Sequence, residues 1–507
     1  MLYSIQILNY TMDVYDELKL SYSGDISNES WIRDYYSVDS SHNQIYPELV
    51  CFPKDKSDIV ASLNCASKNG LSVACRGAGT SLLGQSLSNG LILDFTKYMN
   101  KILDLDIQSE TVTVQAGVVK GMLDKELKKQ NKFLPPDPAS SNYCTIGGMV
   151  SNNSSGPHGL GYGSILKYLD RVDIIYSNGE EGFAENGICD SRLKKILSPL
   201  VSIQNKLASF YPDVSKNSCG YRLDSVFTPE YKPQIIFAAS EGTLSIFDTL
   251  RLKILDIPLF RSLFLVYFSD VLTACLYTKK ILSTAPVAVE LLDYSVMDSS
   301  VKSNALNENG CLLFIEYFYQ FRDKISNIHD LLKRSIYSDG KIVEHAHDIV
   351  SINKLWHSRK NALNMAIKNT VGNRRQFTII EDTAVSINHL YEYVIYLLSL
   401  YNKYDLQYVI YGHIGNGNLH TRPILDNDNN SEDHLHSKQE RILQNITYET
   451  FKKIFEYRGT ITAEHGDGIS RTPFIKNVYN NFVYSYFSYL KKSLDPLNLL
   501  NPGKKVP

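Results

Sequence analysis

Apolar positions first become periodic after Pro47. ELVCF reads as a short strand, KDKSDIVASLNCASKNG as a helix with a glycine stop, and LSVACR as a second strand running into GAGTS. This is a βαβ unit that ends in a glycine-rich loop. GLILDF at 90–95 and ETVTVQAG at 110–117 continue as strands, and a helix follows over 119–131. Residues 135–164 read as one long Gly, Ser, Asn and Pro loop, and a loop of that length in a compact domain usually carries function. RVDIIYSNGEE, a strand and polar turn, precedes the small-residue segment FAASEGTLSIFDTLRLKIL. From about 258 the pattern changes to strands such as LFLVYF and LLFIEYF, alternating with helices at about 270–283 and 386–404.

The change of pattern places a domain boundary near Pro258. It divides the chain into an N-terminal extension over 1–45, a first domain over 46–257, a second over 258–480 and a C-terminal segment over 481–507. The last stretch, LDPLNLLNPGKKV, has little periodicity and is expected to cross a surface groove. DNDNNSED at 426–433 reads as a solvated loop, and no internal repeat is visible.

Composition narrows the class without naming it. The 507 residues are 43% apolar and 21% charged, the balance of a globular protein with a substantial core. A net charge of −2 offers no basic footprint for nucleic acid. The eight cysteines form no C-x-x-C pair, so they read as isolated thiols of an intracellular, cytoplasmic protein without a zinc ribbon or iron–sulfur centre. The N-terminus lacks signal-peptide and transit-peptide features. No apolar run reaches membrane-spanning length; YVIYLLSLY at 393–401 is half of what is needed, which leaves peripheral contact with a membrane open.

Candidate chemistry starts at YGHIGNGNLH, residues 411–420. Three glycines argue against a helix. Asn416-Gly417 is the preferred pair for a two-residue type I′ turn, which would set His413 directly opposite His420 with Cβ atoms roughly 5 Å apart. Two readings are open on this stretch alone: two ligands of one metal ion, or a tight turn whose histidines bond locally. RGAGTSLLGQ at 76–85 brings backbone N–H groups and the hydroxyls of Thr80 and Ser81 to the end of a strand, a place where phosphate can be held. Its spacing is neither a P-loop nor a nicotinamide fingerprint. PPDPASSNYCTIGGMVSNNSSGPHGLGYGS at 135–164 could surround a large polar cofactor with backbone contacts.

Taken in order, RGAGTSLLGQ, PPDPASSNYCTIGGMVSNNSSG, ASEGTLSIFDTLRLKI, YGHIGNGNLH, AEHGDG and DPLNLLNPGK resemble the motifs of FAD-linked D-2-hydroxyacid dehydrogenases. That group holds D-lactate dehydrogenase, the glycolate oxidase flavin subunit and D-2-hydroxyglutarate dehydrogenase, within the vanillyl-alcohol-oxidase-type flavoproteins. The wording of 135–156 and of AEHGDGISR is most similar to bacterial flavin and iron–sulfur fusion enzymes, although this chain ends without a cysteine-rich half. The resemblance implies an α+β protein: a two-part FAD-binding domain over 46–257, an α+β cap with an antiparallel sheet over 258–480, and a C-terminal segment returning to the flavin. It implies that Arg76, Gly77, Ala78, Gly79, Thr80 and Ser81 hold the pyrophosphate. Pro136, Ser140, Thr145, Gly148, Ser151 and Asn152 would continue the cradle, with Glu241, Gly242, Thr243 and Asn501 completing it. No histidine stands in RGAGTS for covalent attachment, so the FAD is expected to be held non-covalently.

Oxidising a 2-hydroxy acid needs a cation for the carboxylate, polarisation of the hydroxyl, and a base for its proton as hydride leaves Cα for flavin N5. The resemblance assigns His413, His420 and Glu464 to one divalent metal, with zinc favoured and manganese or iron(II) as alternatives, and His465 to the base. Arg359 in LWHSRKNALNMA matches the arginine that binds the substrate carboxylate, against a reading as an exposed helical arginine, and Arg471 is a second, weaker cation. Neighbouring residues of a strand face opposite ways, so Glu464 and His465 together predict irregular backbone at 464–467, with Gly466 permitting it. Asn416 stands where the family carries aspartate. The expected partners are a small 2-hydroxy acid and an electron acceptor: a quinone, an electron-transfer flavoprotein or an iron–sulfur protein. A homodimer is compatible with the pattern. Two rival readings are an alkylglycerone-phosphate synthase-like flavin transferase, which resembles H-H-G where this chain has E-H-G, and a silent FAD-binding partner subunit, a class that tends to lack the metal histidines.

Overall fold

A computed structural model describes residues 13–227, 230–304, 307–319, 324–337, 339–369, 374–426 and 434–506. Residues 427–433, all but the first of the loop expected over 426–433, and residues 1–12 lie outside them. Strand β1 (Asp25–Ser27) pairs antiparallel with β2 (Leu49–Phe52), so the N-terminal stretch supplies an edge to the first sheet. β2, β3 (Val73–Arg76) and β4 (Leu91–Asp94) run parallel in the order β1-β2-β4-β3. The crossover helix Lys56–Asn69 has both ends encoded in its sequence. Asp55 accepts the N–H groups of Ser57 and Asp58, and Gly70 closes the helix at φ 65°.

The second sheet is antiparallel and six-stranded. It uses β5 (Ile102–Asp106), β6 (Thr111–Gln115), β8 (Leu169–Ile175), β9 (Glu181–Glu185), β10 (Ile188–Cys189) and β11 (Ile246–Lys253), in the order β10-β9-β8-β11-β6-β5. A small ribbon pairs β7 (Lys132–Phe133) with β12 (Leu255–Asp256). The helix expected over 119–131 is shorter, Lys120–Lys128. The stretch 135–164 is not one unstructured loop. It contains the helices Ile146–Asn152 and Gly159–Tyr162. Thr145 caps the first by accepting the N–H of Gly148, while Ile146, Met149 and Val150 bury a face at helical spacing. Two glycines in that turn hid the period.

The third sheet is antiparallel throughout and has seven strands: β13 (Phe260–Phe268), β14 (Ala288–Asp293), β15 (Cys311–Tyr319), β16 (Gly340–Ala346), β17 (Arg374–Gln376), β18 (Gln407–His413) and β19 (Asn418–Asp426), ordered β16-β13-β15-β14-β18-β19-β17. Alternation separates its two faces. Phe264, Val266, Val289, Leu291, Ile315 and Ile410 join the main core, to which the helices Val271–Leu282 and Leu390–Lys403 contribute Cys275, Leu397 and Tyr401. Leu263, Leu265, Phe314, Val409 and Tyr411 share a second core with Trp356 of the helix Ile349–Lys360. On this second face the register lines up charges: Glu290 follows the alternation opposite His413, and Glu316 lies opposite Ala288. The molecule is thus an α+β assembly of one mixed, mostly parallel sheet and two larger antiparallel ones.

Two local expectations fail. GTITA at 459–463, whose alternation reads as a strand, is not one and makes only a bridge of Thr460 with Ala384; the irregular backbone expected just after it, at 464–467, is present, with Gly466 at φ 83°. The C-terminal segment does not cross a surface groove. Leu499, Leu500, Asn501, Lys504 and Lys505 are buried, and Leu500 bridges Val73 of β3. Its lysines satisfy themselves inside: Lys505 Nζ lies 2.7 Å from Asp467 and 3.1 Å from Glu241, and Lys504 donates to the carbonyl of Leu87. Polar letters mimicked a surface strap because buried lysines need such specific acceptors, which the sequence does not display. Among the described residues no helix is long and apolar enough to cross a membrane.

Candidate functional site

The hairpin that carries the histidines is not the two-residue turn expected. Ile414–Asn416 form a 3-10 turn and Gly417 closes it at φ 66°; Asn416 is not left-handed, which a type I′ turn would require. The register becomes His413 opposite Asn418 and Tyr411 opposite His420. Parity survives the shift by two positions, so both imidazoles still emerge on one face, with ring centroids 5.2 Å apart. The irregular segment after Ala463 then brings Glu464 between them. Its Oε1 is 2.7 Å from His413 Nε2 and 3.5 Å from His420 Nε2, and one ligand atom from each of the three residues lies within 4.8 Å of the others.

Glu464 splits its two oxygens between two parts of the chain. Oε2 accepts Ser155 Oγ at 2.7 Å, the Gly156 N–H at 3.2 Å and Lys216 Nζ at 3.0 Å. Only Oε1 is left for the histidines. Burial opposes its ionisation, but the charges of His413 and Lys216 outweigh burial and hold the carboxyl well below the usual range. His413 Nδ1 is held by Glu290 at 2.7 Å, which fixes the ring with Nε2 facing Glu464. His420 is pushed down by burial and by His465, and its buried Nδ1 has no partner. His465 stacks on His420 with centroids 5.0 Å apart and gives Nδ1 to Glu381 at 2.8 Å. Burial lowers its basicity, yet Asp382 and Glu381 raise its pKa to about 9.

These residues line one cavity of about 900 Å³ together with Arg76 to Ser81, Ser140, Thr145, Gly148, Ser151, Asn152, Glu241 and Gly242. Its walls fit a large polar group. At Gly242, φ 68°, a side chain would enter space with nothing within 4 Å, and at Gly148 only Thr145 Oγ1 lies nearby. At Gly77 a Cβ would meet Thr145 Oγ1 at 2.2 Å, so the loop 76–81 can press against 145–148 only as glycine. The three-residue cation set fits as well: two imidazoles and one carboxylate converge, and one of the imidazoles is neutral in character.

Four of the residues singled out in the sequence do not reach this cavity. Pro136 is buried behind it. Thr243 is bonded to Tyr221 and the Ser240 carbonyl, and Asn501 to the carbonyls of Gln85 and Glu241. Arg471 is fully buried, donating to the carbonyls of Ile379, Thr378 and Gly466 and to Asp382, so it braces the 464–468 turn. The Glu241 carboxylate also turns away, accepting the N–H groups of Asp467 and Gly468. Arg359 is not an exposed helical arginine. It is 6% exposed, lines the cavity, and places Nε and Nη2 on Glu290 Oε2 at 3.0 and 2.6 Å.

Several partners carried a weaker signal. Glu290 in AVELLD and Glu316 in LLFIEYF are single carboxylates in apolar strands, which cannot be buried there unpaired. Arg422 stands two residues after His420 and so on the same face. Lys216, Glu381 and Asp382 had no readable mark.

Comparison with known proteins gives two family matches: an FAD binding domain over residues 47–181, and the C-terminal domain of FAD linked oxidases over 257–505. A D-2-hydroxyglutarate dehydrogenase of Haemophilus influenzae is 28% identical over 98% of this chain and 52% of its own length, so the chain spans about half of that relative. The glycolate oxidase subunit GlcD of Bacillus subtilis is 28% identical over 97% of both chains. A D-lactate dehydrogenase of Anaerostipes hadrus is 25% identical over 95% of this chain and 93% of its own. Among solved structures, an alkyldihydroxyacetonephosphate synthase superposes with a TM-score of 0.67 at 18% identity, covering 97% of this chain and 85% of its own. A 4-ethylphenol oxidase from Gulosibacter chungangensis gives 0.69 at 13%, covering 97% and 96%. At those identities the two structures share the fold.

Proposed function

Because the chain belongs to the FAD-linked oxidases, we propose that it is an FAD-dependent dehydrogenase converting a D-2-hydroxy acid to the 2-oxo acid. The supporting observation is that His413, His420, Glu464, His465 and Arg359 meet the glycine loops at 76–81 and 145–148 in one cavity. FAD there, cradled by Gly77, Gly79, Thr145, Gly148 and Gly242, supplies the acceptor for the two electrons that leave Cα as hydride. A divalent cation held by His413, His420 and Glu464 supplies Lewis acidity toward the hydroxyl.

The remaining work falls to the chain's own groups. Arg359, its fork end fixed on Glu290, keeps Nη1 for the substrate carboxylate. His465 is oriented by Glu381 with Nε2 directed toward Glu464 Oε1, 3.7 Å away, and takes the hydroxyl proton. Asp382 and Glu381 raise its pKa to about 9, so as the base it works from the fraction of molecules whose ring is neutral, and the rate of flavin reduction is expected to climb as pH rises toward about 9.

Anaerobic bleaching of the bound flavin by D-lactate, glycolate and D-2-hydroxyglutarate, before and after chelation, tests the reading. Bleaching by at least one acid is expected, and its loss on chelation. If no 2-hydroxy acid reduces the flavin, the reading is lost; if chelation leaves bleaching unchanged, the cation has no part in it.

A further inference from the structure

Two arginines, not one, are built into this cavity, and they are built alike. Arg359 sets Nε and Nη2 on Glu290 Oε2, and Arg422 sets the same two atoms on Glu381 Oε2, at 2.6 and 2.5 Å. The other oxygen of each glutamate holds the Nδ1 of a histidine, His413 at 2.7 Å and His465 at 2.8 Å. The result is a pair of Arg–Glu–His units beside a common neighbour, the Tyr411 ring, whose centroid is 5.6 Å from one guanidinium and 5.9 Å from the other. Arg422 is 4% exposed, and among the described residues its Nη1 has no hydrogen-bond partner. The other cations that line the cavity are committed elsewhere: Arg76 donates to the carbonyls of Tyr36 and Val38, and Lys360 is solvated.

A monocarboxylic 2-hydroxy acid has one anionic group, which Arg359 satisfies. Glu381 neutralises the charge of Arg422 but leaves Nη1 without an acceptor, and a buried N–H that faces the cavity gains a charge-assisted hydrogen bond when an oxygen anion meets it. Resting on the dehydrogenase reading above, we infer that Arg422 is a specificity-determining residue that receives a second carboxylate, so that the substrate is a 2-hydroxydicarboxylic acid. Arg359 takes the carboxylate next to the carbinol carbon and Arg422 the distal one. The rival account makes Arg422 a brace for Glu381 and hence for His465, which would affect every substrate equally.

The test uses the FAD- and metal-loaded full chain and anaerobic flavin reduction by D-2-hydroxyglutarate, D-malate, D-lactate and glycolate. The dicarboxylates are expected to exceed D-lactate in kcat/KM by about 10- to 100-fold, the range for a charged hydrogen-bonded contact. Arg422→Met should lower kcat for every substrate by loosening the Glu381–His465 pair, and beyond that common loss should raise KM for the dicarboxylates alone and so remove their advantage; Arg422→Lys, which keeps a cation on Glu381, should restore part of both. A wild-type measurement needs no variant: glutarate should compete with the substrate at least about tenfold more tightly than butyrate. Equal loss for D-lactate and the dicarboxylates, or a wild-type preference for monocarboxylates, overturns the inference while leaving the dehydrogenase reading intact. Failure of all four acids to reduce the flavin removes that reading, and this inference with it.

Discussion

Glu290 illustrates how a residue that never reaches the reacting atoms can govern them. Its carboxylate is fully buried between His413 and Arg359, and these two charges keep it ionised against the pull of burial. Glu290→Gln leaves a neutral acceptor behind the His413 ring and is expected to weaken divalent-cation binding by about 10- to 100-fold. Competition with a chromophoric chelator reads this directly; an unchanged affinity would show that His413 needs no such support. At this scale the sequence was informative where chemistry is written in unusual letters. His413, His420, Glu464 and His465 were named from their motifs and converge in space. Arg471 was named from the same motif, yet its guanidinium is consumed by three carbonyls and Asp382, because nothing in G-D-G-I-S-R tells which way the side chain turns.

Among the elements, the hairpin of β18 and β19 shows what periodicity can and cannot fix. Alternation determined the face of both histidines, whereas the partner of each depended on turn type, and the turn is two residues longer than Asn-Gly implied. Gly417 closes it at φ 66°, and a Cβ there would lie 2.0 Å from the Val385 carbonyl oxygen. Gly417→Ala combines left-handed strain with a backbone collision and should cost more than about 1 kcal/mol. Thermal unfolding of the variant, with wild-type stability as the disproving result, decides it. The helix Lys56–Asn69 was read with its glycine stop because capping is local, while the Asp55 cap at its start emerged only in the structure. The helix Ile146–Asn152 was missed because its glycines weaken the pattern while tertiary contacts, such as Gly147 against Ala116, sustain it.

Over the whole molecule, charge joins segments far apart in sequence. His158, beside the 145–157 wall, reaches Asp137 at 2.7 Å and Glu316 of β15 at 2.7 Å, and Glu316 also receives Arg261 and the indole N–H of Trp356. Trp356 shares its helix with Arg359, so the clasp ties one cavity wall to the helix that brings Arg359 to the cavity. Burial lowers the His158 pKa, but Asp137 and Glu316 raise it to about 10 against an ordinary value of 6.5. The stabilisation is therefore complete below about pH 6.5 and is lost as pH rises through about 10. Tm should fall across that window, and fall less in His158→Gln; parallel curves for the two proteins would refute the assignment. Such long-range pairs leave no trace in a single sequence, since no spacing announces that residues 158 and 316 meet. The strands of the cap were legible as apolar runs, LFLVYF and LLFIEYF, but such runs are buried on both faces and do not announce their direction; the antiparallel sheet was expected from the family resemblance alone.

The divided carboxylate of Glu464 would join the two proposed binding events, of flavin and of cation, into one thermodynamic unit. Ser155 and Gly156, which steady one oxygen, line the proposed flavin cavity, while the other oxygen serves the cation set. Both proposed ligands adjoin the same carboxylate, so whatever factor one adds to the affinity of the other must be returned in equal measure. Equilibrium dialysis should show chelated protein releasing flavin more readily, and flavin-stripped protein holding its cation more loosely, in the same ratio; independent affinities would mean that the two halves of Glu464 do not communicate.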